Sequence, residues 1–295
     1  MSKNLSVALA TLNEEENIEN CLRSVKDIAN EIIVVDEGST DKTREVARKF
    51  GAKVYKVKHE PIFHKTKQKA IDKATGDWIL QLDADERVSK KLAKEIKKVI
   101  GMSDIEIEEH QELQYSKNRK LKILFQRHQK AVEQMHGPIG KDMGGMVAFY
   151  IPRVNYFLGK PLRHAGVYPD GVIRLIKHGY ARLPGKSVHE LMRVDGKVGW
   201  LFNNLEHHDS PTLNRYLSRM NRYTDLQAEE MKKKGVGANY WNLIKYSFIL
   251  PFFKFVSLYI RHKGIKDGMR GFIWSMFSAL HFPLAYFKYW QKAND

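Results

Sequence analysis

The sequence predicts an α/β protein, a mostly parallel, Rossmann-like sheet flanked by helices, followed by a basic and aromatic helical region. Three observations carry this. Apolar runs of strand length alternate with helix-spaced segments over the first 100 residues. Three of those runs end in polar clusters: TLNEE, DEGSTD and DADE. The last 65 residues combine long aromatic segments with more than half of the excess positive charge.

LSVALA, residues 5–10, reads as a short buried strand. Asn13 and Glu16 are spaced as a capping box, so a helix is expected to follow over NIENCLRSVKDIA. EIIVVD, 31–36, is a second strand, and STDKTREVARKFG is a helix stopped at Gly51. AKVYKV is a third strand. HKTKQKAIDKATG follows as a helix with Ala70, Ile71 and Ala74 on one side. DWILQL is the fourth strand, and VSKKLAKEIKKVIG is a helix capped by Ser89. Such alternation implies a parallel sheet covered on both faces, with right-handed crossovers. Ligands of these sheets bind at the carboxyl ends of the strands, where the polar clusters fall.

The rhythm breaks at 104–145. Residues 104–136 are charged and helix-prone, which predicts an inserted helix or helical pair, and GPIGKDMGG is a flexible linker by composition. Short strands return in MVAFYIPR and GVIRLIKHG. Thr212 to Lys234 reads as an amphipathic helix, capped at Ser210 or Thr212 and ended by Gly235. The organisation expected is a ligand-binding half over 1–100, a charged helical insert over 101–145, a second half over 146–210 and a helical region over 211–295.

Fifty Lys and Arg against 34 Asp and Glu give a formal charge of +16. Residues 231–295 alone hold 11 basic and 2 acidic side chains, a net +9. A basic block interleaved with aromatic runs fits an anionic membrane surface. No nucleic-acid reading motif accompanies it, so nucleic acid is not an expected partner. NYWNLIKYSFILPFFKFVSLYI (239–260) and GFIWSMFSALHFPLAYFKYW (271–290) are interrupted by Lys or Pro. Neither is expected to span a bilayer. Both read as helices lying in the interface, with a soluble helical core or a re-entrant hairpin as the alternatives. The single cysteine, Cys21, cannot form an intrachain disulfide and fits a reducing compartment. The start of the chain does not read as a signal peptide. A cytoplasmic protein, peripheral at the inner face of the membrane, is expected.

The chemistry begins at DADE. Asp83, Asp85 and Glu86 crowd together and repel unless something positive lies among them. Asp83 and Asp85 stand two apart where the chain leaves strand geometry, so both can turn toward one ion. Hard oxygen donors suit Mg²⁺ or Mn²⁺, completed by substrate phosphates, which implies a phosphorylated substrate. The plainer reading is a solvated acidic turn near a helix start. Asp36 is placed to accept from a ribose hydroxyl or a base N–H, with Glu37 assisting, or merely to shape a turn capped by Ser39 or Thr40. Asn13 or Glu14 can line a base pocket.

Together, ATLNEEENI, IIVVDEGSTDKT and GDWILQLDADE resemble the family 2 glycosyltransferases of the GT-A fold. PRVNYFLGKPLRHAGVYPDGVIRLIKHG, KSVHE, DGKVGWLFNNLEHHD and DGMRGFIW look most like the lipopolysaccharide-core β-glycosyltransferase branch. The resemblance covers almost the whole chain except about 104–145. It implies an inverting, metal-dependent transfer from a nucleotide-diphosphate sugar, with UDP the expected nucleotide, to a membrane-associated glycan or glycolipid. A polyprenyl-phosphate sugar synthase on the same fold is the enzymatic alternative, and a basic membrane- or nucleic-acid-binding protein the non-enzymatic one. By position, Thr11, Asn13 and Glu14 match the first nucleotide-binding loop. Asp36, followed by Glu37, matches the acidic residue that reads the nucleotide. Lys67 matches a lysine of the preceding helix, and Asp83, Ala84 and Asp85 match the metal and sugar-donor motif. Glu190 in VHE occupies the place of the catalytic acid, here expected as base. Asp170 is its runner-up, and a salt bridge from Glu190 to Arg174 or Arg193 is the alternative. Arg174 either touches phosphate or caps the sheet. His189 orients the carboxylate, contacts the diphosphate or is structural. In the family reading the histidine near His207, His208 and Asp209 sits at the site's edge; neighbours in a row point apart, so zinc is not expected. Glu37 in place of Asp or Ser, Gln68 in place of Asn, and the insert depart from the family pattern, which leaves nucleotide preference and acceptor choice open.

Overall fold

The structure, a computed structural model, describes residues 3–185 and 191–294. It divides into two compact units, Met1–Arg153 with Pro169–His207, and Val154–Tyr168 with His208–Asp295.

The first unit starts with β1 (Leu5–Thr11), α1 (Glu15–Val25), β2 (Glu31–Asp36), α2 (Thr43–Lys49), β3 (Lys53–Lys56), α3 (Phe63–Asp72) and β4 (Trp78–Leu82). Every residue of β1 and β4 is buried, as a strand covered on both faces requires. β1 pairs in parallel with β2 and with β4, and β2 with β3. This is the predicted parallel half. β5 (Glu86–Val88) and α4 (Lys90–Gly101) follow, and the Ser89 side chain caps α4 by accepting from the Leu92 N–H, as expected.

The second half of the sheet is mainly antiparallel. β6 (Met146–Phe157) and β8 (Asp170–Lys177) pair antiparallel, and β8 pairs antiparallel with β4. β7 is the short Lys160–Pro161, and β9 (Ala181–Arg182) pairs with β10 (Arg193–Val194) in a separate ribbon. β11 (Lys197–Trp200) lies parallel to β6, and β12 (Leu205–Ser210) pairs antiparallel with β5. The sheet order is β3-β2-β1-β4-β8-β6-β12-β5. Two apolar clusters fill the unit, one around Trp78 and Leu80, the other around Ile79 and Tyr150. Adjacent residues of β4 therefore feed different clusters, as strand alternation dictates.

One sequence expectation changes here, and one is made definite. Asn13 does not cap α1: it adopts φ 53° and its Oδ1 accepts from the Thr40 N–H at 2.8 Å. The capping box gives way because Asn13 ties the β1 loop to the β2 loop instead. The insert is a helical pair, α5 (Asp104–Lys117) and α6 (Arg119–His136), with a capping box at Ser103 and Glu106. It packs firmly: Phe125 of α6 stacks on Trp200 at 4.3 Å, and Trp200 on Tyr150 at 4.6 Å. Gln111 of α5 accepts from the Trp200 N–H at 2.8 Å.

The second unit contains α7 (Leu213–Lys233), capped by Thr212 as predicted. A helix over Tyr240–Arg261 follows, then the C-terminal helix Gly268–Asn294. The Tyr240–Arg261 helix corrects an expectation. By length and composition it is apolar enough to cross a membrane, and only 6% of its most apolar stretch is buried. Pro251 does not end it, because π-helical turns lie on both sides. Pro lacks an N–H and crowds the preceding turn, and wider turns relieve both problems. The Leu250 N–H reaches back five residues, to the Lys245 carbonyl. The C-terminal helix likewise runs through Pro283. Phe157, Leu162, Tyr216 and Met220 form one buried cluster of this unit, and Ala228, Tyr286 and Tyr289 another.

Candidate active site

The carboxyl ends of β1, β2 and β4 share one edge because the three strands are parallel neighbours. Thr11 and Asp36 are register partners there, and Thr11 Oγ1 donates to Asp36 Oδ2 at 3.0 Å. Asp36 Oδ1 accepts from the N–H groups of Gly38 at 3.1 Å and Ser39 at 2.8 Å, and the Ser39 hydroxyl donates to Oδ2. Its carboxylate is fully buried and shapes its own loop. Gly38 takes φ 89°, the left-handed backbone that this turn requires. Glu37 turns toward α3, contacting His59 Nδ1 at 2.5 Å and the Thr66 hydroxyl. The Glu14 carboxylate accepts from Asn17 Nδ2 at 2.8 Å.

The crowded carboxylates at the end of β4 find their positive charge within the chain. Lys67 Nζ lies 2.5 Å from Asp83 Oδ1, and Arg174 Nη2 lies 2.5 Å from Asp83 Oδ2. Arg174 Nη2 also donates to Glu86 Oε1 at 2.8 Å, and its Nη1 to Gln81 Oε1. Glu86 is fully buried; its Oε2 accepts from the Asp83 N–H at 2.9 Å. Arg153 Nη1 lies 3.1 Å from Glu86 and its Nη2 2.8 Å from Asp170 Oδ2. Asp85 Oδ2 lies 3.5 Å from His207 Nε2. Burial would raise the Asp83 carboxyl, but Arg174 and Lys67 outweigh it and hold it well below the usual carboxylate range. At Asp85 burial is likewise overcome, by the hydrogen bond and charge of His207, and the carboxyl is lowered. Burial pulls His207 down, but the Asp85 hydrogen bond together with the charges of Asp85 and Glu86 outweighs it, and its imidazole is raised.

These groups border a cleft of about 410 Å³ within the first unit. Lys67, Asp83, Arg153, Asp170 and Arg174 line one part, and His128 and His136 of α6 another. The cleft thus gathers four of the predicted residues: Lys67, Asp83, Asp170 and Arg174. Thr11, Asn13, Glu14, Asp36 and Glu37 hold the neighbouring loops together. Ala84 is buried beneath the motif. Glu190 and His189 lie outside the described residues. Sequence reasoning missed Arg153, Gln81 and the partnership of His207. Gln81 carried a signal: it is a lone polar residue in an apolar strand, and such a residue needs a buried partner. Arg153 carried none.

A metal has limited purchase on this set. No group of three His, Cys, Asp or Glu among the described residues is arranged to hold an ion. Both Asp83 oxygens already serve cations. The chain itself offers Asp85, which suits an ion that takes most of its ligands from phosphate.

The fold and this site define a glycosyltransferase. Residues 6–140 match the model of "Glycosyl transferase family 2". The chain is 25% identical over 294 residues to the lipopolysaccharide core biosynthesis glycosyltransferase LpsC of Rhizobium meliloti, covering 98% of this chain and 92% of that one. It is 28% identical over 264 residues to an uncharacterised glycosyltransferase of Rickettsia typhi, covering 86% and 79%. A local match links it to the crystal structure of glucosyl-3-phosphoglycerate synthase from Mycobacterium tuberculosis in complex with Mn²⁺, UDP and glucosyl-3-phosphoglycerate. That match has 30% identity and a TM-score of 0.26, over 28% of this chain and about a third (34%) of that one. The chain is thus similar to family 2 glycosyltransferases over residues 6–140, and to glycosyltransferases along most of its length.

Proposed function

We propose that the first unit transfers a sugar from a nucleoside-diphosphate sugar, with UDP as nucleotide, to a membrane-associated glycan or glycolipid. The observation that carries this is the cationic pair Lys67 and Arg174, anchored on Asp83 at the carboxyl edge of the parallel strands. Breaking the sugar–phosphate bond leaves a diphosphate of growing negative charge. Preorganised cations stabilise that charge without rearranging. Lys67 offers a compact point charge to phosphate oxygens, and Arg174, whose guanidinium is taken up by Gln81, Asp83 and Glu86, fixes the positive field behind it. Asp85 is the residue to hold Mg²⁺ or Mn²⁺, with Asp83 second to it. Such an ion, when bound, further neutralises the leaving group.

The acceptor hydroxyl must lose a proton as it attacks. Glu190 is the proposed base, and Asp170 its substitute. Arg153 holds Asp170 Oδ2 through two N–H donors, at 2.8 and 3.1 Å, so a hydroxyl there competes with a guanidinium. That favours Glu190. The exposed Tyr240–Arg261 helix supports work at the membrane, and we place it at the cytoplasmic face. It also supports a second reading, a polyprenyl-phosphate acceptor. A phosphate acceptor needs no protein base, so Glu190→Gln would keep near-normal turnover. A hydroxyl acceptor predicts a loss of about 10²–10⁴-fold.

Thermal denaturation with nucleoside diphosphates, with and without Mn²⁺, tests the main reading. UDP is expected to raise Tm, Mn²⁺ to raise it further, and Asp85→Asn to remove only the Mn²⁺ increment. Saturation at a hundred times Kd corresponds to about 2.7 kcal/mol. If no nucleoside diphosphate stabilises the protein under either condition, the proposal fails.

A further inference from the structure

The second unit holds its own cavity, about 350 Å³, distinct in its residues from the cleft. α7 contributes Tyr216, Arg219 and Tyr223, the Tyr240–Arg261 helix contributes Lys254, and the C-terminal helix contributes Trp274 and His281. One carboxylate, Asp209, reaches it, and Arg219 already pairs with that carboxylate. Lys254 makes no ion pair among the described residues, so its ammonium is the uncompensated charge of the cavity. Burial, then the nearby Lys254, hold the His281 imidazole below its ordinary pKa. It is therefore neutral at pH 7 and available as a hydrogen-bonding group. Gln227 and Ser278 add further donors.

Lys254 sits on the helix whose apolar side chains are uncovered. Its neighbours Phe252 and Phe253 are 63% and 65% exposed, and Phe248 and Ile260 are also exposed. Such a surface wants an apolar phase. A ligand suited to both features has an anionic head with several oxygens and a long apolar tail. Several donors around one cation fit the three oxygens of a phosphate monoester better than the two of a carboxylate.

We propose that this cavity seats the phosphate monoester of a membrane-embedded lipid, whose chains lie along the exposed face of the Tyr240–Arg261 helix. The inference rests on the reading that the acceptor is membrane-associated, and it assigns the group by which such a lipid is held.

Vesicle flotation with the full chain tests it. Neutral phosphatidylcholine vesicles are doped with phosphatidic acid, a monoester, or with enough phosphatidylglycerol, a diester, to match the surface charge. The wild type is expected to bind the monoester vesicles about fivefold more tightly, the scale of one basic residue at an anionic surface. Lys254→Gln should abolish that preference. Lys232→Gln, an exposed change outside the cavity, should preserve it. Lys254 is exposed, so its substitution leaves the fold intact. Equal binding to both vesicle types, or a preference that survives Lys254→Gln, overturns the phosphate site and leaves the membrane reading standing. Failure of the wild type to bind any vesicle overturns both.

Discussion

Arg174 touches Gln81, Asp83 and Glu86 at once, and its side chain is only 8% exposed. Removing one partner of a buried charge network strands the others. Arg174→Ala should therefore cost about 3–5 kcal/mol of stability, read from the denaturant midpoint. Arg174→Lys should recover only part, because one ammonium cannot reproduce the fork. The Asp85–His207 pair makes a prediction about pH. The raised His207 contributes stability fully below its unfolded pKa of about 6.5 and loses it as pH rises through the folded value. The lowered Asp85 contributes above about 3.9 and loses it as pH falls through its depressed value. The pair thus works between those limits. In metal-free protein, NMR should show His207 titrating above about 6.5, and lower in Asp85→Asn, which removes the Asp85 hydrogen bond and charge that raise it. An unchanged His207 titration in that variant would exclude the pairing.

The insert was legible as a helix or helical pair from its charged, helix-prone composition, but not as a wall of the cleft. Its anchoring depends on Phe125, which is fully buried and stacks at 10° on Trp200, a residue some 75 positions away. No local spacing encodes that contact. Phe125→Ala should cost about 3–5 kcal/mol, measured by denaturation with Trp fluorescence as the probe. A midpoint unmoved by that change would mean that α6 is not packed on Trp200. Gly171 belongs to the same packing. A Cβ there would lie 2.3 Å from the Trp200 ring, so only glycine admits the tryptophan beside β8. The Tyr240–Arg261 helix shows the opposite failure. Pro251 and two lysines argued against a span, and paired π turns absorbed the proline.

At the scale of the molecule, the parallel strands and their polar ends were readable because buried strands and amphipathic helices have distinct periods. The charges among DADE were not, because Lys67, Arg153 and Arg174 arrive from three separate elements. Residues 154–168 were also misleading: they continue a strand of the first unit yet share the core of the second. The chain consequently passes between the units after Arg153, after Tyr168 and after His207. Two of those three residues belong to the charge network of the candidate active site. A truncation just beyond Ser210 would leave Phe157 and Leu162 without Tyr216 and Met220, their buried companions. The two units are therefore interwoven along the chain rather than joined end to end. No single cut in the chain separates one unit from the other.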